Sequence, residues 1–165
     1  MMLVNVVLSF ILFVALKAYG YEDFVQYQKG YYYVVIKKGS FKSVNAKLIE
    51  EIQSHNWEVI HTINVDKTAK LKTPYKTHLL CKGDYLKKGV GIFKPIGVII
   101  PCKLAVYVEG SSVKILVEDV MELAKIYAPG DETFKRFLSK VKEEMIDILN
   151  KTAARFHKSK YTPYE

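Results

Sequence analysis

The sequence predicts an α+β fold in which an antiparallel sheet carries helices on one of its faces. Short β-branched and aromatic runs, bounded by Gly or Pro, recur between residues 31 and 117, and each is typical of a strand. Two longer segments, 41–55 and 132–154, repeat their apolar residues at helical spacing instead. The resulting order, β-α-β-β-β-β-α, suits a sheet with helices packed on one face.

The first strand and the first helix meet at a glycine. The run YYYVVIKK, residues 31–38, is predicted to be a strand, and Gly39 ends it. Ser40 stands where a helix N-cap is expected, so a helix is predicted over 41–55. Its apolar face consists of Val44, Leu48, Ile49 and Ile52.

Four further strands are predicted between the two long helices. Residues 57–65 alternate, which predicts that Trp57, Val59, His61 and Ile63 share one face. Residues 75–82 form the next strand, and 101–109 pairs with 113–117 through a tight turn at 110–112. Three glycines and a proline interrupt 85–100, which is therefore predicted to be a long shaped loop, a feature that is often functional.

Two helices close the predicted domain. A short helix over 119–127 is ended by Pro129-Gly130, and Asp131 caps the helix that runs to residue 154. The apolar stripe of the long helix contains Phe134, Leu138, Val141, Met145, Ile148 and Leu149.

The amino terminus has the pattern of a signal peptide. Residues 3–16 are almost wholly apolar, a run of 14 that is shorter than the roughly 20 a membrane span needs. Ala18-Tyr19-Gly20 is a small-x-small cleavage site. We predict a signal peptide at 1–20, a lead-in at 21–30, one domain at 31–154 and a basic tail at 155–165, in a periplasmic or extracellular protein. Because no Lys or Arg precedes the apolar run, an uncleaved membrane anchor and a cytosolic strand are the alternatives.

The chain is basic, with a net charge of +8 supplied almost entirely by Lys. Such a charge attracts acidic partners such as anionic lipid or an acidic redox protein. The lysines are spread along the chain, however, which favours a role in solubility. Export argues against nucleic acid as a partner.

The order of elements and two local motifs resemble the domain of unknown function 302 family. The motifs are a strand ending in Leu79-Leu80-Cys81, and a Pro101-Cys102 strand followed by a hairpin. The resemblance covers about residues 31–151. It implies a β-α-β₄-α fold related to the TATA-binding-protein architecture, and a capacity of some members to dimerise. This chain has Gly83-Asp84 where the family pattern has Asn-Pro, and the resemblance implies no settled activity.

Cys81 and Cys102 are the two cysteines, and they flank the 85–100 loop. One ends a predicted strand and the other begins the next, so antiparallel pairing would bring them close enough for a disulfide. A structural disulfide is therefore expected in an exported protein. The alternatives are a metal, haem or redox site, and two reduced, buried thiols.

Few other residues of the sequence are candidates for a metal or binding site. His61 and His78 are the remaining metal-ligand candidates, although no Cys-x-x-Cys or His-Glu-x-x-His motif is present. Candidate binding residues near the cysteines and the loop are Tyr85 and Lys103. Tyr31 and Tyr33 share a strand face, where they either line a pocket or pack under a helix.

The leading functional hypothesis is a periplasmic accessory protein that binds a small ligand, a metal or haem, or a redox partner. Its site would lie at Cys81, Cys102 and the 85–100 loop. The first alternative is a thiol-redox or metal-dependent enzyme, and the second is a non-catalytic module that forms a homodimer. The sequence names no cofactor, and the absence of nucleophile and phosphate-loop motifs argues against an enzyme.

Overall fold

The computed structural model describes residues 23–100 and 102–157. The predicted signal peptide at 1–20 and residues 158–165 of the predicted tail lie outside the described residues. None of the helices described is long and apolar enough to cross a membrane.

In the described part of the chain, six strands form one antiparallel sheet. In chain order they are β1 (Gln26–Gln28), β2 (Tyr31–Ile36), β3 (Glu58–Asn64), β4 (Tyr75–Cys81), β5 (Cys102–Glu109) and β6 (Ser112–Glu118). Their order across the sheet is β1-β2-β6-β5-β4-β3, and every neighbouring pair is antiparallel. The α+β prediction is confirmed. The three-residue β1, which lies in the predicted lead-in, is an edge strand that the sequence did not indicate.

The helices are α1 (Phe41–Ser54), α2 (Val65–Thr68), α3 (Gly83–Ile92), a 3₁₀ helix (Lys94–Val98), α4 (Val120–Tyr127) and α5 (Glu132–Ala154). Two of the predicted N-caps are formed: the Ser40 hydroxyl accepts from the amide of Ser43 at 3.1 Å, and the Asp131 carboxylate accepts from the amide of Phe134 at 2.8 Å. These bonds satisfy amide groups that the first turn of a helix cannot pair internally.

The core lies between one face of the sheet and the two long helices, α1 and α5. Val34 and Ile36 of β2, Leu104 of β5 and Ile115 of β6 are almost fully buried there. The apolar faces predicted for α1 and α5 pack against them. The alternation of strand side chains therefore sends one set of residues into the core and the other to the far side of the sheet.

The far side of the sheet is called the open face here. It carries side chains from four strands: Tyr31, Tyr33, Thr77, Lys103, Ala105, Tyr107 and Leu116. Most of these residues are partly exposed.

A β-bulge changes the predicted faces of β3. Val59 lies opposite Leu80, but the next paired residue is His61, opposite Leu79, so Ile60 is an extra residue. An extra residue shifts the alternation by one. His61 and Ile63 consequently lie on the open face, and the prediction that they share a face with Val59 is wrong.

The prediction of a loop at 85–100 is also wrong, because α3 and the 3₁₀ helix occupy almost all of this segment. Gly89 is a packing position and not a flexible turn. A Cβ atom there would lie 2.4 Å from Cδ1 of Ile96 and 3.2 Å from the ring of Phe137. Glycine thus lets α3 approach its neighbours closely, and the segment forms a structured cover at one end of the sheet.

The start of the predicted tail contacts the domain. The Arg155 guanidinium donates to the buried carboxylate of Glu51 at 2.6 Å, and Phe156 packs against the core. The ring of His157 stacks on Phe24 with centroids 4.3 Å apart.

Candidate functional site

A small enclosed cavity lies where β4 ends and β5 begins, beneath α3 and the 3₁₀ helix. Its wall is almost entirely apolar and includes Trp57, Ile96, Ile99, Cys102, Phe137 and Val141. The cavity measures about 20 Å³, which is room for about one water molecule. We call residues 83–98, which form α3 and the 3₁₀ helix, the cover segment.

A polar cluster centred on Glu144 of α5 lies beside the cavity. The carboxylate accepts hydrogen bonds from the Trp57 indole at 2.7 Å, from the Lys82 ammonium at 2.8 Å and from the Tyr85 hydroxyl at 2.5 Å. Burial alone would raise the pKa of Glu144, but the bonds from Lys82, Tyr85 and Trp57 outweigh it and lower that pKa. The carboxylate therefore stays ionised at neutral pH.

Aromatic rings surround the ammonium group of Lys82. Its Nζ lies 4.7 Å from the centroid of the Tyr85 ring and 5.9 Å from that of Trp57. The two rings meet edge to face, with centroids 5.7 Å apart. Such contacts add cation–π attraction to the ion pair. Tyr85, at the start of the cover segment, thus contacts both Trp57, which precedes β3, and Glu144 of α5.

The pKa of Tyr85 is raised to about 12, first by burial and then by the hydrogen bond to Glu144. The Tyr85 hydroxyl is therefore a donor at any physiological pH, and Glu144 is its acceptor. This bond connects the cover segment to α5.

The predicted disulfide is wrong, because both cysteines are free thiols. Leu80 pairs with Cys102, and both face the helices. Cys81 borders the cavity as the last residue of β4, but strand alternation directs its side chain to the opposite face from Leu80. Both cysteines nonetheless border the cavity, and Cys81 lies close enough to contribute to the raised pKa of Cys102.

Cys102 has the environment of an inert thiol. It is 2% exposed, and its pKa is raised to about 12, first by burial and then by the nearby Glu118. A thiol in this state is protonated at neutral pH, whereas thiol nucleophiles and redox pairs act as thiolates. Cys102 is thus a small apolar part of the cavity wall.

The predicted metal ligands are not brought together. His78 is buried under α1, where it shares hydrogen bonds of 2.8 Å with Thr62 and Asn45, and burial lowers its pKa to about 4. His61 is exposed on the open face. Within residues 23–100 and 102–157, no three His, Cys, Asp or Glu side chains are placed to hold a metal ion.

The remaining predicted binding residues lie on the open face. Tyr31 and Lys103 border a shallow depression there, together with Thr77, Ala105 and Leu116. Tyr33 lies beside Tyr31, with ring centroids 6.0 Å apart. Of the predicted site, therefore, Cys81, Tyr85 and Cys102 border the cavity, while Tyr31, Tyr33 and Lys103 belong to the other side of the sheet.

Sequence reasoning missed Trp57, Lys82 and Glu144 as members of one cluster. Trp57 and Glu144 are 87 residues apart, and Lys82 and Glu144 are 62 apart. One signal was present: a tryptophan whose ring is buried needs an acceptor for its N–H group.

Comparisons with known proteins agree with this architecture. A crystal structure of an uncharacterized conserved protein DUF302 from Bacillus stearothermophilus matches with a TM-score of 0.69 and 18% identity, over 76% of this chain and 99% of that chain. No curated protein matches the chain. The family model described as Domain of unknown function DUF302 matches residues 32–152, well over half of the chain. The protein therefore belongs to the DUF302 family.

Proposed function

We propose that this protein is an exported accessory protein that binds a small apolar molecule beneath the cover segment. One observation supports this most: an apolar cavity at the edge of the core whose polar neighbours are gathered into a single cluster on Glu144. Ligand sites are typically apolar, with a few polar groups at defined places.

Binding requires the cover segment to move, because the closed cavity has room for about one water molecule. The attachment that must open is local. It includes the Tyr85–Glu144 hydrogen bond, the packing of Gly89 against Phe137 and the contact between the rings of Phe93 and Phe134. Release of this attachment would lift α3 without disturbing the sheet, and a ligand would then replace Ile96 against the cavity wall.

The chemistry of the wall favours an apolar ligand over a thiol reaction. Cys102 contributes a protonated thiol, and the ionised carboxylate of Glu144 is already occupied by three donors. The polar cluster then orients the ligand or closes the cavity behind it. This arrangement supports a binding protein better than a thiol-redox enzyme.

Trp57 provides the assay, because it is the single tryptophan of the chain and it lines the cavity. We expect small apolar probes, such as benzene and cyclohexane, to change its fluorescence in a saturable way. Val141→Phe fills the cavity and is expected to abolish the change, while Val141→Ile does so partially with less strain. Leu116→Phe on the open face is the matched control and should titrate like the parent protein.

Two results would remove this proposal. One is a Trp57 signal that rises linearly with probe concentration and never saturates. The other is saturable binding that Val141→Phe and Val141→Ile leave unchanged while both variants remain folded by circular dichroism.

The open face favours a second candidate function, self-association. Its two lysines are both paired, Lys103 with Glu118 at 3.1 Å and Lys114 with Glu109. A chain with a net charge of +8 thus presents one face on which positive and negative charges are balanced, so a second copy is not repelled there. Leu116 lies near the centre of this face.

Sedimentation velocity over a range of concentrations tests self-association. We expect a dimer that Leu116→Lys dissociates, because the new charge would be buried without a partner. Lys72→Glu, at an exposed position in the β3–β4 connection, is the control and should leave the dimer intact. A monomer at every concentration would exclude this candidate.

A further inference from the structure

The outer surface of the cover segment carries several exposed aliphatic side chains. Three aliphatic side chains are exposed there: Leu86 at 40%, Val90 at 44% and Val98 at 67%. Isolated exposed aliphatic residues are ordinary. Three of them fall within thirteen residues of one structured segment, and Leu86 also borders the cavity. Concentrations of exposed aliphatic side chains often mark a contact surface.

Three lysines accompany these aliphatic residues. Lys87, Lys88 and Lys94 are all exposed, and within the described residues none of them forms an ion pair with a carboxylate. Some lysines elsewhere are paired, as Lys47 is with Glu50 and Lys125 with Glu122, whereas others in the described residues form no ion pair. The segment contains one acidic residue, Asp84, so its outer surface carries a clear positive excess.

The helical geometry of α3 separates its two sides. Gly89 is buried and Tyr85 and Ile92 are partly buried, and these three positions share the side facing the core. Leu86 and Val90, four residues apart, adjoin each other on the outer side, with Lys87 next to them. An aliphatic surface bordered by lysines is the pattern of segments that lie in a membrane interface.

We infer that the cover segment binds the surface of an anionic lipid bilayer. Leu86, Val90 and Val98 would enter the boundary between headgroups and acyl chains, while the lysines contact anionic phosphates. Charge complementarity identifies the occupant, since unpaired ammonium groups attract an anionic surface. Exposed aliphatic side chains beside lysines match the apolar and anionic layers of a lipid surface, which favours lipid over an acidic protein. The inference does not depend on a ligand in the cavity.

Co-sedimentation with vesicles tests the inference on the whole chain. We expect binding to vesicles that contain phosphatidylglycerol, and much weaker binding to vesicles of phosphatidylcholine alone. An apolar amino-terminal segment, where it is retained, inserts into both lipids, so the difference between them isolates the electrostatic contribution. Because each lysine near an anionic surface contributes about 1 kcal/mol, the triple variant Lys87→Gln, Lys88→Gln, Lys94→Gln should bind about 100-fold more weakly.

The matched control removes the same charge from the opposite end of the sheet. Lys67, Lys70 and Lys72 lie in the connection between β3 and β4, whereas the cover segment follows the other end of β4. Their triple change to Gln should alter vesicle binding less than tenfold. Equal losses in the two triple variants would show that net charge alone governs binding, and would overturn the inference.

A double variant, Val90→Ser with Val98→Ser, separates lipid from an acidic macromolecule. Both positions are exposed, so the fold should be retained. Its binding to phosphatidylglycerol vesicles should fall at least tenfold, because the inserted aliphatic area is lost. The lipid assignment is wrong if the parent protein does not bind these vesicles. It is also wrong if the parent binds soluble polyglutamate as tightly as the vesicles and the double variant binds both as the parent does.

Discussion

The cluster on Glu144 makes a quantitative prediction about stability. Glu144→Ala removes the common acceptor of Trp57, Lys82 and Tyr85, which leaves three partly buried donors without it. Breaking a fully buried ion pair costs about 3–5 kcal/mol. The side chain of Glu144 is 27% exposed and that of Lys82 is 17% exposed, so water replaces part of the lost interaction. We therefore expect the free energy of unfolding to fall by about 2–3 kcal/mol.

Urea unfolding followed by Trp57 fluorescence and by circular dichroism measures this change. Glu143→Ala is the control, because the neighbouring glutamate is exposed and accepts from Ser139 alone among the described side chains. It should cost less than about 0.5 kcal/mol. A double-mutant cycle of Glu144→Ala with Lys82→Met then isolates the coupling of the pair. If Glu144→Ala and Glu143→Ala cost the same, the cluster is only a solvated surface group.

Three further predictions follow from buried groups. Gly89→Ala should destabilise the protein by about 1–2 kcal/mol through overpacking, whereas Gly91→Ala, with open space around its Cβ position, should stabilise it by about 0.5–1 kcal/mol; urea midpoints compare the two. Because burial holds the pKa of His78 near 4, below its usual 6.5, the unfolded state binds more protons and stability falls as pH drops from about 6.5 to about 4. The full pKa shift corresponds to about 3 kcal/mol of unfolding free energy, which solvent screening reduces to about 2 kcal/mol. A His78→Gln variant should lack this part of the pH dependence, and identical pH profiles for the variant and the parent would contradict the assignment. Maleimide should label Cys81 in the folded protein much faster than the buried Cys102, and an intact mass lower by two hydrogens would instead reveal a disulfide.

The fold could be predicted because it depends on local periodicity. The β-branched runs indicate strands, and the apolar stripes of α1 and α5 indicate helices. Antiparallel packing then follows from the order of these elements. The bulge at Ile60 could not be predicted, since WEVIHTINV alternates without a visible interruption. The extra residue reflects the fit of β3 to its neighbour and to α1, which is a tertiary property.

The cover segment was mispredicted because glycine has two different uses. Gly89 and Gly91 lower helix propensity, so a local reading gives a loop. In the structure Gly89 is required where a side chain would meet Ile96, and the packing of α3 against α5 outweighs the propensity cost. The cluster on Glu144 was invisible for a different reason. Its members come from four separate elements or connections, and only the assembled fold brings them together.

The disulfide prediction is wrong because the pairing of β4 with β5 is offset by one residue from the register that would place Cys81 opposite Cys102. Antiparallel pairing does bring the end of β4 beside the start of β5, as the sequence indicated. Leu80, however, is the partner of Cys102, and a shift of one residue reverses the face of a side chain.

A last prediction decides whether the cover segment opens independently of the fold. Tyr85→Phe keeps the ring contacts with Trp57 and Phe137 but deletes the hydroxyl that donates to Glu144. If the segment opens locally, the loss of about 1 kcal/mol should raise the rate of Cys102 labelling about fivefold under native conditions. Proteolysis of the unfolded state measures the free energy of global unfolding. This value should be larger than the free energy of the opening that permits labelling of Cys102. If Cys102 reacts no faster than global unfolding allows, in the parent and the variant alike, the segment is a fixed part of the core and a ligand cannot enter beneath it.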